Sequence, residues 1–403
     1  MKFKTLKANE YCDSVRDGTH DSPKKVEKGY KLITSKNIKE YGLDLQNASN
    51  ISKKDYDKVN ERSLVEKNDI LYSMIGTIGL IHRVNYEPNY AIKNIGLFKI
   101  KDEQKSKWLY YYLKTPKMKN YINSLLAGST QQYITLNNLR ELPIQIPEIT
   151  SETNKIIYIL DLIETKIMNN THTNNNLYKL SKTIFRDFYN SNSEKWNICK
   201  INDIGLYISD YVANGSFKSL AQNVKIYDNK NYALFIRNTD LKVNFTQGRK
   251  YVDEHSYNFL SKSKLYGREL IISNVGDVGS IFLCPSFEIP MTLGNNVIMI
   301  DSKETKVNYN YYLYYFFLSA EGQYLIDGIT GGSAQPKFNK TDFKNSLIKL
   351  PSKEDILEFN DKIIPMYDII EKNIKENDIL EQLRDTLLPK LMNGEIDLDK
   401  VEI

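Results

Sequence analysis

Two short glycine loops, Gly76-Thr77-Ile78-Gly79 and Gly276-Asp277-Val278-Gly279, most invite a chemical reading, because closely spaced glycines can let a backbone wrap a phosphate. Neither qualifies. A phosphate cradle requires GxxxxGK[ST], or GxGxxG between a strand and a helix, and the chain contains neither pattern. Metal and nucleophile chemistry is equally hard to assemble: HExxH and paired CxxC are missing, and His20, His82, His172 and His255 lie in unrelated contexts. Cys12, Cys199 and Cys284 are odd in number and far apart, which reads as reduced, structural thiols. Carboxylates abound, yet no spacing pairs two of them for acid–base work. The expectation is a chain with no catalytic residues and no metal site.

At 403 residues the chain exceeds what one core usually organises, so two domains or one repeated unit must carry these loops. Hydrophobic residues at 41% and charged residues at 26% are ordinary for a folded soluble protein. With no apolar run of 18 residues and no apolar stretch in MKFKTLKANEYCDSV, a cytoplasmic location without membrane contact is expected. The net charge of +5 is compatible with nucleic acid but weaker than the bias of an autonomous DNA binder. Abundant Lys, Asn, Ile and Tyr fit an AT-rich genome equally well.

Self-comparison is more decisive. LYSMIGTIGLI at Leu71–Ile81 matches IISNVGDVGSI at Ile271–Ile281, an offset of 200 residues. AGSTQQ around Gly128 matches GGSAQP around Gly332, and Ile146-Pro147 matches Leu350-Pro351, both at offset 204. YKLITSKNI at Tyr30–Ile38 resembles YALFIRNTDL at Tyr232–Leu241, and DLIETKI at Asp161–Ile167 resembles DIIEKNI at Asp368–Ile374. A period near 200 residues is a duplicated domain, too long for a solenoid.

Within each half the pattern changes after the proline. Before it, short apolar runs such as DILYSMIG and NVIMI alternate with Gly, Asn and Asp, which reads as strands and turns. After it, Ile156, Ile163, Asn170, Leu177 and Ile184 recur every seven residues, as do Ile356, Ile363, Ile370 and Asn377. Phe359, Met366, Leu380 and Leu387 take intermediate seam positions, so residues 153–188 and 353–388 are predicted to be coiled-coil helices, each about 50 Å long if continuous. Both turn polar near the middle, at Met168–Asn176 and at Asn373 and Asn377, and an antiparallel pair would set these layers opposite each other to fix register. The alternative is that Met168–Asn176 is a loop. Pro365 predicts a kink or a helix start.

Over nearly its whole length the chain resembles Type I restriction-modification specificity subunits. The resemblance is carried by VRDGTHDSPKKVEKGYKLITSKNI, DYVANGSF, YVDEHSYNFL, IISNVGDVGSIFL, GGSAQPKFNKTDF and the tail LRDTLLPKLMNGEIDL. It implies an α+β fold with a pseudo-two-fold internal repeat: two mixed α/β target recognition domains, joined by two long antiparallel helices forming a coiled-coil spacer. The corresponding division is residues 1–150 and 191–352 for the recognition domains, 151–190 for the central spacer helix, and 353–403 for the C-terminal spacer helix and tail. By the same resemblance the chain comes from a bacterium or archaeon and binds double-stranded DNA at a bipartite, asymmetric site. Two modification subunits using S-adenosylmethionine would dock on it, joined by two restriction subunits using ATP and Mg where the system has them. The chain itself would bind no cofactor.

Base readout needs Asn, Gln, Arg, Lys, Ser or Thr on loops. On that ground the first half offers Arg16, Thr19, His20, Lys24 and Lys25, then Lys36 and Asn37, then Gln131 and Gln132. The second offers Asn214, Ser216 and Lys218, then Arg237 and Asn238, then Gln335, Lys337 and Lys340. Asp17, Asp210 and Asp277 are expected to brace these loops, since phosphates repel carboxylates. For the glycine- and asparagine-rich positions simple turn geometry is the competing account, and for the lysines a solvated surface. The spacer pairing would rest on Ile156, Ile163, Asn170, Leu177, Ile184, Ile356, Ile363, Ile370, Asn373, Asn377, Leu380 and Leu387. Three other readings compete: a subunit serving a fused methyltransferase-nuclease or a methylation-only system, a diverged methyltransferase or nuclease, and a scaffold that does not bind DNA.

Overall fold

The computed structural model describes residues 2–396 apart from 129–130, 243–244, 246–247 and 333. The chain divides into two compact units, residues 1–170 with 376–403 and residues 171–375.

In the first unit, Ile70–Ser73 is buried on both faces, which is why ILYS is a continuous apolar run and not an alternating one. Its four-stranded antiparallel sheet has the order Ser14–Asp17, Ile95–Lys99, Ile70–Ser73, Ile81–Arg83. A second sheet pairs Tyr90–Ile92 in parallel with Tyr30–Ile33 and continues through Ser49–Ile51 to Lys25–Val26. The second unit repeats the scheme. Tyr207–Asp210, Val297–Asp301, Leu270–Ser273 and Ile281–Leu283 form the same antiparallel order, and Ala233–Ile236 runs parallel to Met291–Leu293. The loop glycines repeat too: Gly76 and Gly79 have φ of +79° and +88°, Gly276 and Gly279 +78° and +84°. Left-handed backbone, not a ligand, demands glycine there.

Two long helices follow the strands, Thr150–Asn192 and Lys353–Met392. With 43 and 40 residues they extend about 65 and 60 Å. The first is helical throughout Met168–Asn176, so that segment is not a loop. The second starts twelve residues before Pro365 and runs through it, so Pro365 is not a helix start. A proline in a helix interior costs about 3 kcal/mol. Ile363 and Tyr367 on either side are 0% and 5% exposed, and their burial offsets that cost.

The helices pair antiparallel in each unit. In the first, Ile156, Ile157 and Leu160 share a core with Leu388, Leu391 and Met392, while Asn170 near the other end meets Asn377. In the second, Asn174 meets Asn373, and Phe188 stacks on Phe359 at 4.7 Å between ring centres. Ile156, Ile163, Asn170, Ile356, Ile363 and Ile370 are buried, whereas Leu177, Ile184, Asn373, Asn377, Leu380 and Leu387 are half-buried. The seam contains a further buried row, Leu160, Ile167, Asn174 and Ser181. Helical geometry requires it, since an i, i+4 neighbour shares the face of each heptad residue.

Cys12 and Cys284 are buried and all three thiols are free. No described helix is long and apolar enough to cross a membrane.

Candidate nucleic-acid interface

Antiparallel pairing decides where the polar loops meet. In the first unit Asp17 lies opposite Gly96 and Ser73 opposite Ile95, so the turns after Asp17, after Ser73 and before Ile95 leave the same end of the sheet. Two more loops are tied to that end. The Lys93 amide donates to the Ile33 carbonyl at 2.8 Å, bringing in Thr34–Asn37, and the Ile134 amide donates to the Met74 carbonyl at 3.0 Å, bringing in Gln131 and Gln132. The second unit does the same with different residues. Asp210 lies opposite Ile298 and Ser273 opposite Val297. Gly294 donates to the Ile236 carbonyl at 2.7 Å, drawing in Arg237 and Asn238, and Gly276 donates to the Pro336 carbonyl at 2.9 Å, drawing in Gln335 and Lys337.

Each half therefore gathers its three groups of candidate residues at one sheet end, but it does not expose them equally. In the first unit His20 lies between Asp17 (3.0 Å) and Asn94 (2.8 Å), and Arg62 pairs with the other Asp17 oxygen. Arg16 donates to the Arg62 carbonyl at 3.1 Å. Thr19, Lys24, Lys58 and Arg62 border a groove of about 520 Å³. Arg16, Lys24, Lys25, Lys36, Gln131 and Gln132 are exposed, and Thr19 is half-buried.

Asn37 is turned inward. It is 6% exposed, and its side-chain oxygen accepts from the Thr34 amide and hydroxyl while its amide donates to the Asp44 carbonyl. Such a buried amide holds its own loop. The second unit spends more of its candidates this way. Asn214 donates to the Tyr211 carbonyl and the Ser263 hydroxyl and accepts from the Lys262 amide. Arg237 is forked onto Asp240 at 2.9 and 2.6 Å, which raises its pKa further, and reaches the Gly248 carbonyl at 2.8 Å. Lys340 pairs with Asp210 at 2.8 Å. Asn238 is half-buried and donates to the Ser273 hydroxyl at 3.1 Å. Ser216, Lys218, Gln335 and Lys337 are exposed.

The aspartates act as braces: Asp17 and Asp210 hold the partners just named, and Lys242 and Ser280 bind Asp277, holding its carboxyl below the usual range. Arg62, Asn94 and Asn296 belong to these sheet ends and went unmarked in the sequence. The repeat itself could have flagged the asparagines, which occupy matching left-handed positions at φ +52° and +65°.

The helices carry a second set of polar contacts. In the first unit Glu164 accepts from Lys114 at 2.6 Å and from Arg384 at 3.4 Å, and Arg384 also reaches the Tyr41 hydroxyl at 3.2 Å. In the second, Arg268 spans Asp368 at 2.6 Å and Glu371 at 2.7 Å. The direction is exchanged: one arginine comes from the helix, the other from the domain.

A model of the Type I restriction modification DNA specificity domain matches residues 3–179 and again residues 193–388. The chain belongs to this family. It is 27% identical over 401 residues to the MjaIX specificity subunit of Methanocaldococcus jannaschii, covering 93% of this chain and 84% of that one. With the HindI specificity subunit of Haemophilus influenzae it shares 25% identity over 209 residues, 50% of this chain and 42% of the relative. Among solved structures, the Type I S subunit from M. genitalium superposes with a TM-score of 0.59 at 15% identity, covering 97% and 96% of the two chains, which establishes a common fold. The family's duplicated domain is thus present twice, each copy ending in one of the long helices.

Proposed function

We propose that the chain is the non-catalytic DNA-recognition subunit of a Type I restriction-modification complex, each sheet end reading one half of a bipartite, asymmetric site. One observation carries this reading: the same strand order gathers base-reading residue types at one sheet end in both units, with different residues in each. A shared frame with unlike loops suits two unlike half-sites.

Positioning modification subunits is the other part of the proposal. Apolar side chains stand exposed along the helices, Tyr158, Leu162 and Leu383 in the first unit and Leu357 and Ile369 in the second, and these suit docking by two partner subunits. S-adenosylmethionine then belongs to the modification partner, and ATP with Mg to a restriction partner where one exists.

Methylation-sensitive sequencing of the host with and without this gene tests the reading. A bipartite adenine-methylation motif that disappears with the gene is the expected result, and an unchanged methylome refutes it. Exchanging residues 1–145 with those of a relative should change one half-site and leave the other intact.

A further inference from the structure

Phe217 is 81% exposed, equalled among the described large apolar residues only by Tyr324. Single exposed apolar residues are ordinary, but the mounting of this one is not. The chain leaves Tyr207–Asp210 at the sheet end that gathers the polar loops and is then pinned residue by residue. Asp210 accepts from the Ala213 amide at 2.8 Å and from Lys340 at 2.8 Å, and Asn214 is tied to Tyr211, Ser263 and Lys262. Ser216 caps the helix Phe217–Asn223 by accepting from the Ser219 amide at 3.2 Å, and Leu220 anchors that helix in a core with Phe235 and Leu260. The ring of Phe217 stands off this fixed platform between exposed Ser216 and exposed Lys218. A backbone ordered in advance leaves only the rotation of the ring itself to be lost on contact.

We propose that Phe217 is a wedge that inserts at a base step of the half-site held by the second unit and stacks on the opened base. The proposal rests on the reading of that unit as a recognition domain. An apolar ring beside a cation and a hydroxyl fits this occupant: the lysine takes phosphate while the ring takes a base face, which every base offers. Selectivity would then come from how cheaply a step opens, pyrimidine–purine steps being the easiest. The matching stretch of the first unit has no counterpart to this ring, since Gly18 to Lys25 contains Thr19, His20, Lys24 and Lys25 but no Phe, Tyr or Trp.

The test uses the chain assembled with its modification subunit and duplexes carrying 2-aminopurine at successive steps of both half-sites, the site being taken from methylation sequencing. Away from the methylated adenines, which the modification subunit itself takes out of the stack, fluorescence should rise at one step of the second half-site and at none of the first. Phe217→Ala should abolish the rise and weaken binding about tenfold, Phe217→Trp should keep both, and all three proteins should unfold at the same temperature. Unchanged affinity and fluorescence in Phe217→Ala overturn the wedge. So does weakened binding by Phe217→Ala when the wild type gives no rise, since the ring then touches DNA without opening it. Loss of co-purification with the modification subunit overturns it in favour of a protein contact. If the wild-type complex binds no duplex bearing the methylated site, the recognition reading itself falls, a failure visible before any variant is made.

Discussion

Asn373 donates its side-chain amide to the side-chain oxygen of Asn174 at 2.8 Å, while Asn174 spends its own amide on the Ile370 carbonyl at 3.3 Å. Asn174 is 7% exposed, so water cannot replace a missing donor. Asn373→Leu should therefore cost about 1–3 kcal/mol, the penalty of a stranded buried acceptor. Changing both residues to Leu should recover most of the loss, because two apolar side chains can fill one seam layer. Urea unfolding of the four proteins decides it, and a double variant no more stable than Asn373→Leu refutes the account.

The two arginine contacts should differ in weight. Arg384 is 9% exposed at its side chain and Glu164 6%, so Arg384→Met leaves a buried carboxylate with Lys114 as its one cation among the described residues, at a cost of about 2 kcal/mol. Arg268 is 30% exposed and Asp368 57%, so Arg268→Met should cost about 1 kcal/mol. Thermal unfolding gives the order of the two losses, and the reverse order would contradict this reading.

Acid should weaken the fold through His82. Burial, aided by the neighbouring Arg83 charge, lowers its pKa to about 4 from an ordinary value of 6.5. Between those values the unfolded chain binds the proton and the folded chain does not, so stability is lost as pH falls through the window. The expected contribution is about 2 kcal/mol between pH 7.5 and pH 5. His82→Phe should lack this part of the pH dependence, and equal pH profiles in urea unfolding would contradict it.

Lys24, Lys25 and Lys36 are exposed and make no ion pair among the described residues. If they meet phosphates, each change to Ala should lower the salt slope of DNA binding by about one. Unfolding temperature should not move. By contrast, Arg237→Ala strands buried Asp240 and should destabilise the second unit by about 1–3 kcal/mol. A salt slope unchanged in the triple lysine variant removes these residues from the interface.

Four residues inserted after Asn170 and four after Lys375 would lengthen both helices by about 6 Å while adding slightly more than one turn. The seam keeps its face, and the gap between half-sites should grow by one or two base pairs at about 3.4 Å each. Two-residue insertions rotate the seam by about 200° and should abolish methylation. Methylome sequencing of strains carrying each variant reads both outcomes, and an unchanged gap with the longer insertions refutes the reading of these helices as the spacer between half-sites.

The sequence by itself determined the duplication, the strand runs, the two long helices and the absence of recognisable catalytic motifs. These are legible because hydrophobic periods of 2 and 3.6 and glycines at left-handed positions are local properties, written within a dozen residues. It left the state of Met168–Asn176 and Pro365 open, because propensity alone does not say whether packing outweighs a polar run or a proline. Tertiary structure also decided which polar side chains are spent and which remain available. Asn37 and Lys36 are neighbours of equal polarity, yet the first is turned inward onto Thr34 and Asp44 and the second outward. Lys340 is held by Asp210, 130 residues away, and Arg384 by Glu164, 220 residues away. Sequence states that a group is polar, but whether water or a distant carboxylate meets it is set by strand order and helix pairing, which no local pattern contains.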